Sequence, residues 1–474
     1  MSPKSKIIKS IFKEELQSNN KENIIYTSFL ETDRYILEQV TDATDATDAT
    51  HGIGSHFFLY DKELGTTEKV DEFVTEDKTY SKEITYLPIV DDLIREKVIL
   101  LPSDIEEYES TDKLVADIQA FLSSYFELPK FYEKFIPYLA LFYWTYERFP
   151  FVPYLHFVGR TGTGKSTAME VFGSICYKPI DASGAITMSS IFRTASKWRG
   201  TLLLDEFNAS GDNYGEMISF LKSGVSNKAI LRVEGDKERE VRAYMIKCPK
   251  MFTSEDPITD AGLQSRTMVI KMEKNVRKIP LYRLPRYERA AQSLRNKLLL
   301  WRFRNLNKID LSSMEYGFPE LEAFDRRVQQ VITPIFFFSN EDTRKDILAF
   351  AKEQQEETLR GRRESLNGLI FQEIVENYPT NLTVVFITSQ LNKEKGGKFD
   401  FTEKKVANVI RKILGFDIVR VGHDNIRTVI ADDYEKIKEL CVYYGLQVPL
   451  PPAGQVASVA EVADDDLRLE NIFK

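Results

Sequence analysis

The amino-acid sequence predicts an α/β protein with a parallel sheet at its centre, a mixed α+β region before it and a small helical domain with a β-hairpin after it. Three observations support this prediction. A strand-like run leads through a glycine-rich loop into a helical pattern at 153–173, and a second apolar run ends in two acidic residues at 201–206. Three helical patterns followed by two alternating strands occupy 363–446.

The chain has 474 residues, which is enough for several domains, and its patterns divide it into four regions. We predict an N-terminal α+β domain of unknown role, then the central sheet with a preceding helical segment and a lid. A winged-helix domain and a flexible acidic tail follow. The bounds of the four regions are 1–104, 105–355, 363–446 and 447–474.

Composition restricts the classes of protein that remain. The three cysteines, Cys176, Cys248 and Cys441, lie far apart, and the four histidines do not cluster with them. This argues against a disulfide framework or a zinc site and predicts a reducing, cytoplasmic location. The most apolar run, 135–146, is too short to span a bilayer, so we expect no membrane partner. The net charge is −8, but 151–450 is basic between acidic ends, which fits DNA contact as well as chance segregation.

The glycine-rich loop matches the phosphate-binding pattern G-x-x-x-x-G-K-[ST] in full. Its glycines allow backbone N–H groups to surround a triphosphate, and the following helix adds the positive end of its dipole. Lys165 would reach the β- and γ-phosphates, and Ser166 would ligate Mg²⁺. The residues that we assign to nucleotide binding here are Gly159, Arg160, Thr161, Gly162, Thr163, Gly164, Lys165, Ser166 and Thr167. The alternative is a glycine-rich turn with no ligand.

Hydrolysis also requires an acidic residue near the metal and a group that handles water. Asp205 and Glu206 follow an apolar strand, at the end where open α/β sheets bind their ligands. Asp205 suits the Mg²⁺ shell and adds to the nucleotide-binding set, whereas Glu206 suits polarising the attacking water. The alternative for this pair is a solvated acidic turn.

Further patterns follow along the chain. Residues 229–247 alternate on both sides of a charged turn, which predicts a β-hairpin. Thr253 and Ser254 end the next strand, where polar groups can sense a γ-phosphate, and Arg266 precedes another apolar strand. The basic, largely helical run at 271–304 predicts the lid.

In this order, the parts resemble the AAA+ ATPases. Within them they resemble the helicase-like group of MCM and superfamily 3 helicases, of the type carried by plasmids and mobile elements. The resemblance covers roughly residues 100–446. It identifies Walker A at 159–166, Walker B at 202–206, the pre-sensor-1 hairpin at 225–244, sensor 1 at 253–254 and the arginine-finger element at 264–266. For sensor 2 the candidates are Arg326 and Arg327, and a solvated basic pair is the alternative.

The resemblance implies that the protein binds ATP and Mg²⁺ and forms a homo-oligomeric ring, which we expect to be a hexamer. Arg266 would act on the γ-phosphate held by the neighbouring subunit, and an ordinary surface arginine is the alternative. With Glu206, Thr253 and Ser254 it completes the predicted catalytic set. At the hairpin tip, Lys237 and Arg239 would contact the backbone of a threaded DNA strand. The alternative is that these are ordinary cations of a hairpin turn.

The region 363–446 predicts a winged helix. Thr402 can cap a third helix in which Val406, Ile410 and Ile413 are buried. The basic residues of its outer face, which we assign to DNA contact, are Lys404, Lys405 and Arg411. Helicases of the MCM group carry such a domain in this position. A winged helix that only contacts proteins is the alternative.

The tail from 447 to 474 combines a flexible composition with an acidic-apolar end. Residues 466–473 loosely resemble a sliding-clamp-binding peptide without its glutamine. This would make replication proteins partners of the tail. A disordered tail without a partner is the alternative.

The sequence therefore predicts an ATPase that acts as a helicase or translocase on single-stranded or forked DNA during replication of a mobile element or plasmid. One alternative is a non-translocating AAA+ initiator or loader that remodels DNA or a partner protein. The other is a non-enzymatic scaffold that binds ATP to assemble, and the intact acidic pair argues against it.

Overall fold

The chain forms two compact units, 1–352 and 353–474. The computed structural model describes residues 23–42, 54–77, 82–182, 187–206, 214–234, 240–258, 260–312, 317–380, 382–394, 401–422 and 425–451. Two of the predicted DNA-contacting residues, Lys237 and Arg239, lie outside these ranges, as does the tail from 452 onward.

The N-terminal part of the first unit is built from seven short strands. They are β1 (Ile24–Thr27), β2 (Phe29–Glu31), β3 (Tyr35–Thr41), β4 (Ser55–Asp61), β5 (Thr66–Val70), β6 (Phe73–Asp77) and β7 (Lys82–Pro88). Strands β2 to β5 form an antiparallel sheet in sequence order, and β1 pairs in parallel with β7, which pairs with β6. Apolar residues of β3 and β4 belong to the main hydrophobic core of the unit, so this part shares a core with the segments that follow.

The rest of the first unit alternates helices and strands. In chain order they are α1 (Asp92–Arg95), α2 (Thr111–Tyr125), α3 (Lys130–Glu133), α4 (Ile136–Tyr143), β8 (Tyr154–Val158), α5 (Lys165–Gly173), β9 (Ile180–Asp181), α6 (Met188–Trp198), β10 (Leu202–Leu204), α7 (Tyr214–Ser223), β11 (Ala229–Glu234), β12 (Glu240–Met245), β13 (Lys250–Ser254), α8 (Ala261–Gln264), β14 (Thr267–Lys271), α9 (Pro285–Asn305), α10 (Arg326–Phe338) and α11 (Glu341–Glu364). The boundary between the two units falls within α11.

Five of these strands form one parallel sheet in the order β14-β8-β13-β10-β9. All five residues of β8 and all three of β10 are buried, as expected for strands covered on both faces. Because the strands are parallel, the ends of β8, β10 and β13 meet at one edge, which we call the carboxyl edge. The opposite edge, where β8 and β14 begin, is the amino edge.

Strands β11 and β12 are not part of this sheet and form a separate antiparallel ribbon. In the sequence, the ribbon lies between β10 and β13. Their register runs from Ala229 opposite Met245 to Glu234 opposite Glu240. The hairpin predicted at 229–247 is therefore present in the described strands, and its tip lies outside them.

A buried ion network joins the N-terminal strands to the rest of the first unit. We use this name for Glu38, Glu147, Lys178 and Arg302. Glu38, on β3 and 1% exposed, lies 2.9 Å from the Lys178 ammonium and 2.7 Å from Nε of Arg302. Arg302, on α9, also pairs with Glu147. The two carboxylates and two cations balance, and removing one of them leaves an unpaired charge in the interior, which typically costs about 3–5 kcal/mol.

The second unit has its own hydrophobic core. Its elements are α12 (Leu366–Glu376), α13 (Val384–Glu394), α14 (Glu403–Lys412), β15 (Asp417–Val421), β16 (Ile426–Ile430) and α15 (Tyr434–Tyr444). Thr402 caps α14, and Val406 and Ile410 are buried as predicted. The prediction for Ile413 was wrong, because α14 ends at Lys412 and the Ile413 side chain is exposed.

Across the described ranges, no helix has both the length and the apolar character needed to cross a bilayer.

Candidate nucleotide-binding site

The glycine-rich loop connects β8 to α5 at the carboxyl edge. Gly162 and Gly164 have φ angles of 82° and 84°, a left-handed conformation that glycine adopts without steric cost. A Cβ atom on Gly159 would lie 2.6 Å from the carbonyl oxygen of Met272, so the backbone approach there also requires glycine. Helix α5 begins at Lys165, whose ammonium donates to the Arg160 carbonyl across the loop at 3.0 Å. The loop therefore has the left-handed glycines and the lysine of the phosphate-binding pattern at the carboxyl edge, next to the N-terminus of α5.

Three side chains from three different elements meet beneath this loop. Ser166 Oγ donates to Oδ1 of Asp205 at 2.9 Å, and Thr253 Oγ1 donates to the same oxygen at 2.6 Å. Ser166 lies in the first turn of α5, Asp205 follows β10, and Thr253 lies near the end of β13. The carboxylate and hydroxyl oxygens of Asp205 and Ser166 are of the type that Mg²⁺ prefers as ligands.

Glu206 is held in an unusual backbone conformation beside this cluster. Its φ is 49°, a region that costs a non-glycine residue about 1–3 kcal/mol. The Glu206 amide donates to Thr253 Oγ1 and to Asp205 Oδ1, each at 3.0 Å. Its side chain is exposed at the carboxyl edge. The two hydrogen bonds therefore fix the backbone of the residue that we predict handles the attacking water.

Thr253 and Ser254 were predicted together, but the structure gives them different surroundings. Neighbouring residues of a strand point to opposite faces of the sheet. Whereas Thr253 contacts Asp205, the Ser254 hydroxyl lies 2.7 Å from Nε2 of His156 and donates to the Asp256 carbonyl. His156 is fully buried on β8, and burial lowers its pKa to about 3, so its imidazole is neutral. Because the Ser254 hydroxyl proton is used, His156 donates from Nε2.

Several residues near the loop were not predicted from the sequence. Thr161 donates to Glu255, which follows β13. Gly164 lies beside Asn275, because a Cβ built on it would be 3.6 Å from the Asn275 amide nitrogen. Arg283 donates to Glu170 of α5 from Nε at 3.0 Å. The segment after β14 thus passes along the loop and α5, a long-range arrangement without a local sequence pattern.

Arg266 lies at the amino edge, away from the cluster around Asp205. Its carbonyl accepts from the Tyr154 amide at the beginning of β8, at 3.1 Å, and Gly159 follows the end of that strand. At about 3.3 Å per residue, the two positions are roughly 16 Å apart along the strand. The guanidinium of Arg266 is half-buried and donates to the Gly262 carbonyl. Burial lowers the pKa of Arg266, and the nearby charge of Arg327 lowers it further.

Both sensor-2 candidates begin helix α10 in the first unit. Arg326 and Arg327 donate to Gln329 and Gln330, at 3.4 and 3.0 Å. The electrostatic contact between Arg327 and Arg266 places Arg327 near the arginine-finger candidate.

The DNA-contacting residues predicted on the second unit are exposed. Lys404, Lys405 and Arg411 share the outer face of α14, and Arg411 also donates to the Ile418 carbonyl at 3.0 Å. Asn408 and Lys412 are exposed on the same helix. The helix therefore presents a basic face opposite its buried apolar residues.

Comparison with known proteins gave no matching family model and no matching curated protein. The chain is similar to a solved structure described as "The A form apo structure of NrS-1 C terminal region-CTR", at 13% identity and a TM-score of 0.34, covering 79% of this chain and 93% of that one. It is also similar to "SCCmec type IV Cch - active helicase", at 13% identity and a TM-score of 0.41, covering 93% of this chain and 84% of that one. At these scores, neither likeness supports a functional conclusion.

Proposed function

We propose that this chain is an ATP-hydrolysing, ring-forming DNA helicase or translocase with an AAA+ core and a winged helix, acting in replication of a plasmid or mobile element. One observation carries the proposal. Ser166 and Thr253 converge on a single oxygen of Asp205 beneath the glycine loop, and Thr253 also holds the amide of Glu206. A glycine-rich turn without a ligand does not account for this convergence.

Each residue of this cluster has a role in phosphoryl transfer. The loop amides and Lys165 bind the β- and γ-phosphates of ATP, and Ser166 with Asp205 would hold Mg²⁺. When bound, the metal ion neutralises charge on the phosphates. Glu206 orients and polarises the attacking water, and Thr253 keeps the Glu206 backbone in place. In this assignment Ser254 does not contact the phosphate, because its hydroxyl is hydrogen-bonded to His156 and to the Asp256 carbonyl. Its role is to hold the end of β13 in place.

The position of Arg266 supports the proposal of a ring. A residue roughly 16 Å from its own phosphate site cannot stabilise charge there, but it can complete the site of a neighbouring copy. We therefore propose a homo-oligomer, with six subunits as the expected number. The tail would contact replication proteins.

DNA contact is assigned to two places. Lys237 and Arg239 at the tip of the β11–β12 ribbon would grip the backbone of a threaded strand. Lys404, Lys405 and Arg411 on α14 would contact DNA through the winged helix. The exposure of the α14 cations supports the second assignment.

The test is ATP turnover and strand displacement on forked DNA by the whole chain. The wild type should hydrolyse ATP and displace a strand, whereas Glu206→Gln should bind ATP, retain it and stay assembled. The matched control is Glu435→Gln, which alters an exposed glutamate of the second unit. Turnover without displacement would favour the initiator or loader. Turnover by Glu206→Gln at the wild-type rate would contradict the assignment of Glu206.

A further inference from the structure

A second concave site lies in the first unit, away from the glycine loop. It is a cavity of about 280 Å³ between the β1–β2 connection, the end of α6 and the base of the β11–β12 ribbon. We call it the ribbon cleft. Asn227, just before β11, and Met245, the last residue of β12, line the cleft together with Phe29. Its volume is near the lower end of the roughly 300–1,000 Å³ of small-ligand pockets, which suits a ligand of one nucleotide.

The cleft carries an excess of positive charge. The buried ion network behind it is balanced, and Lys197 at its rim pairs with Asp91 at 2.7 Å. Arg199 and Lys247 also line the cleft. Arg199 is exposed, whereas Lys247 is buried and lies close enough to Glu147 for that carboxylate to favour the charged ammonium. Lys247 donates to the Phe149 carbonyl at 2.5 Å, a neutral partner. Arg199 is thus the exposed cation that can face an anion, with the Lys247 ammonium as the second positive group of the cleft.

Aromatic rings form much of the remaining wall. Phe29, Tyr146, Tyr177 and Trp198 line the cleft, and Phe29 is only partly buried. Glu147 also lines it, and Oε2 of this carboxylate is buried with no hydrogen-bond partner in the described part of the chain. Rings, a spare acceptor and two cations match the chemistry of a planar base with N–H groups joined to a phosphate.

We propose that the ribbon cleft binds one nucleotide, with its base against Phe29 and its phosphate at Arg199 and Lys247. The inference rests on the proposed function in one respect: we expect the nucleotide to be part of a single DNA strand that passes the ribbon. A free nucleoside monophosphate would offer the same chemistry. An acidic peptide matches the cations but leaves the aromatic wall without a partner, so the nucleotide is favoured.

The test combines crosslinking and binding on the whole chain. A thymidine oligonucleotide that contains 5-iododeoxyuridine is irradiated with the protein in the Lys165→Ala background, so that the glycine loop does not contribute. Crosslinks should map to peptides containing Phe29, Tyr146, Tyr177 or Trp198. Excess thymidine monophosphate distinguishes the source, because it suppresses these crosslinks only if a free nucleotide is a ligand.

Variants of the cleft give the second measurement. Phe29→Leu should weaken oligonucleotide binding about tenfold, as loss of one stacked base predicts. Arg199→Asn should weaken it and reduce the salt dependence by about one ion, and Arg199→Lys should restore much of the loss. Asparagine is chosen because the φ of Arg199 is 50°, a conformation that asparagine tolerates. Thermal melting checks folding, and Lys345→Gln, at a highly exposed lysine, is the control.

Two outcomes would overturn the inference. In the first, crosslinks are confined to other peptides, and Arg199→Asn and Phe29→Leu bind the oligonucleotide as the wild type does. In the second, polyglutamate displaces the oligonucleotide from the cleft at equal charge concentration. Wild-type ATP turnover without DNA is measured separately. If the protein hydrolyses ATP but fails the cleft tests, the proposed function stands and the nucleotide site in the cleft is contradicted. If the protein crosslinks in the cleft but does not hydrolyse ATP, the site stands and the proposed function is contradicted.

Discussion

The two edges of the parallel sheet differ in what they offer to ATP. The carboxyl edge gathers the glycine loop, Asp205, Glu206 and Thr253, and the carboxylate of Glu206 is exposed there. The amino edge carries Arg266, half-buried and beside a second arginine. One strand, β8, separates the edges by roughly 16 Å. One chain thus holds both halves of the proposed hydrolysis site, but they cannot meet within one subunit, and this difference supports a site shared between copies.

The largest expected effect tests whether the carboxyl edge is the phosphate site. Lys165→Ala should weaken ATP binding by at least about a hundredfold and leave no measurable turnover, because the phosphates lose charge-assisted hydrogen bonds of roughly 1.5–3 kcal/mol each. Calorimetry and a phosphate-release assay measure the two effects. The matched control is Lys345→Ala, at an exposed lysine in α11. Unchanged ATP affinity in Lys165→Ala would show that the carboxyl edge is not the phosphate site.

The next prediction asks whether the amino edge completes the site of a neighbour. Arg266→Ala should bind ATP normally, yet its turnover should fall about a thousandfold, the lower range for an arginine finger. Mixing Arg266→Ala with Lys165→Ala should restore part of the turnover, because some interfaces then join an intact loop to an intact arginine. The readout is turnover as a function of the mixing ratio. A wild type that stays monomeric with ATP and DNA at micromolar concentration would refute the shared site.

The sequence predicted which residues lie at the carboxyl edge better than it predicted the contacts between them. The loop at 159–166 and the pair at 205–206 are local patterns, so each could be placed after a strand. Which of Thr253 and Ser254 faces Asp205 depends on how β13 is registered between β8 and β10, and no local pattern contains that information. The same holds for the contact between Thr161 and Glu255.

In the N-terminal part, a mixed α+β domain was predicted, but the contacts that join it to the rest of the chain were not. Glu38 stood inside the apolar run at 35–40, and a charged residue there is a signal of a buried ion pair. Its partners Lys178 and Arg302 lie 140 and 264 positions further on, so only the folded chain could identify them. The third helix was predicted to run to residue 414 but ends at Lys412, which exposes Ile413 and is a boundary error of two residues.

A smaller effect concerns His156, which lies on β8 between the two edges. Burial lowers its pKa from 6.5 to about 3. Between these values the unfolded chain binds a proton that the folded protein does not, so stability falls as the pH decreases through this window. The contribution of one such group is about 1.4 kcal/mol per pH unit.

His156→Gln should therefore show a free energy of unfolding that depends less on pH, by about that slope between pH 4 and 6. Urea denaturation at several pH values measures it. Glutamine retains a donor for Ser254 and does not titrate, so the comparison is one of slopes and not of absolute stability. The control variant is His56→Gln, because His56 is partly exposed on β4 and pairs with Asp42 and Asp71. Equal slopes for His156→Gln and the wild type would show that His156 is not buried as a neutral base.

The smallest effect decides which arginine of the amino edge acts. Arg327 lies close enough to Arg266 to lower the pKa of the Arg266 guanidinium, and the Arg327 side chain donates to Gln330 of its own helix. Two like charges near each other destabilise the folded subunit slightly, and a neighbouring γ-phosphate would relieve this repulsion. If Arg266 alone reaches that phosphate, Arg327→Ala should lower turnover less than about threefold and raise the free energy of unfolding by less than about 1 kcal/mol. The same mixing experiment with Lys165→Ala subunits measures its share of the site. A thousandfold loss in Arg327→Ala, with rescue on mixing, would instead mean that both arginines serve the neighbouring phosphate, because loss of a purely structural contact within one subunit is not rescued by a second copy.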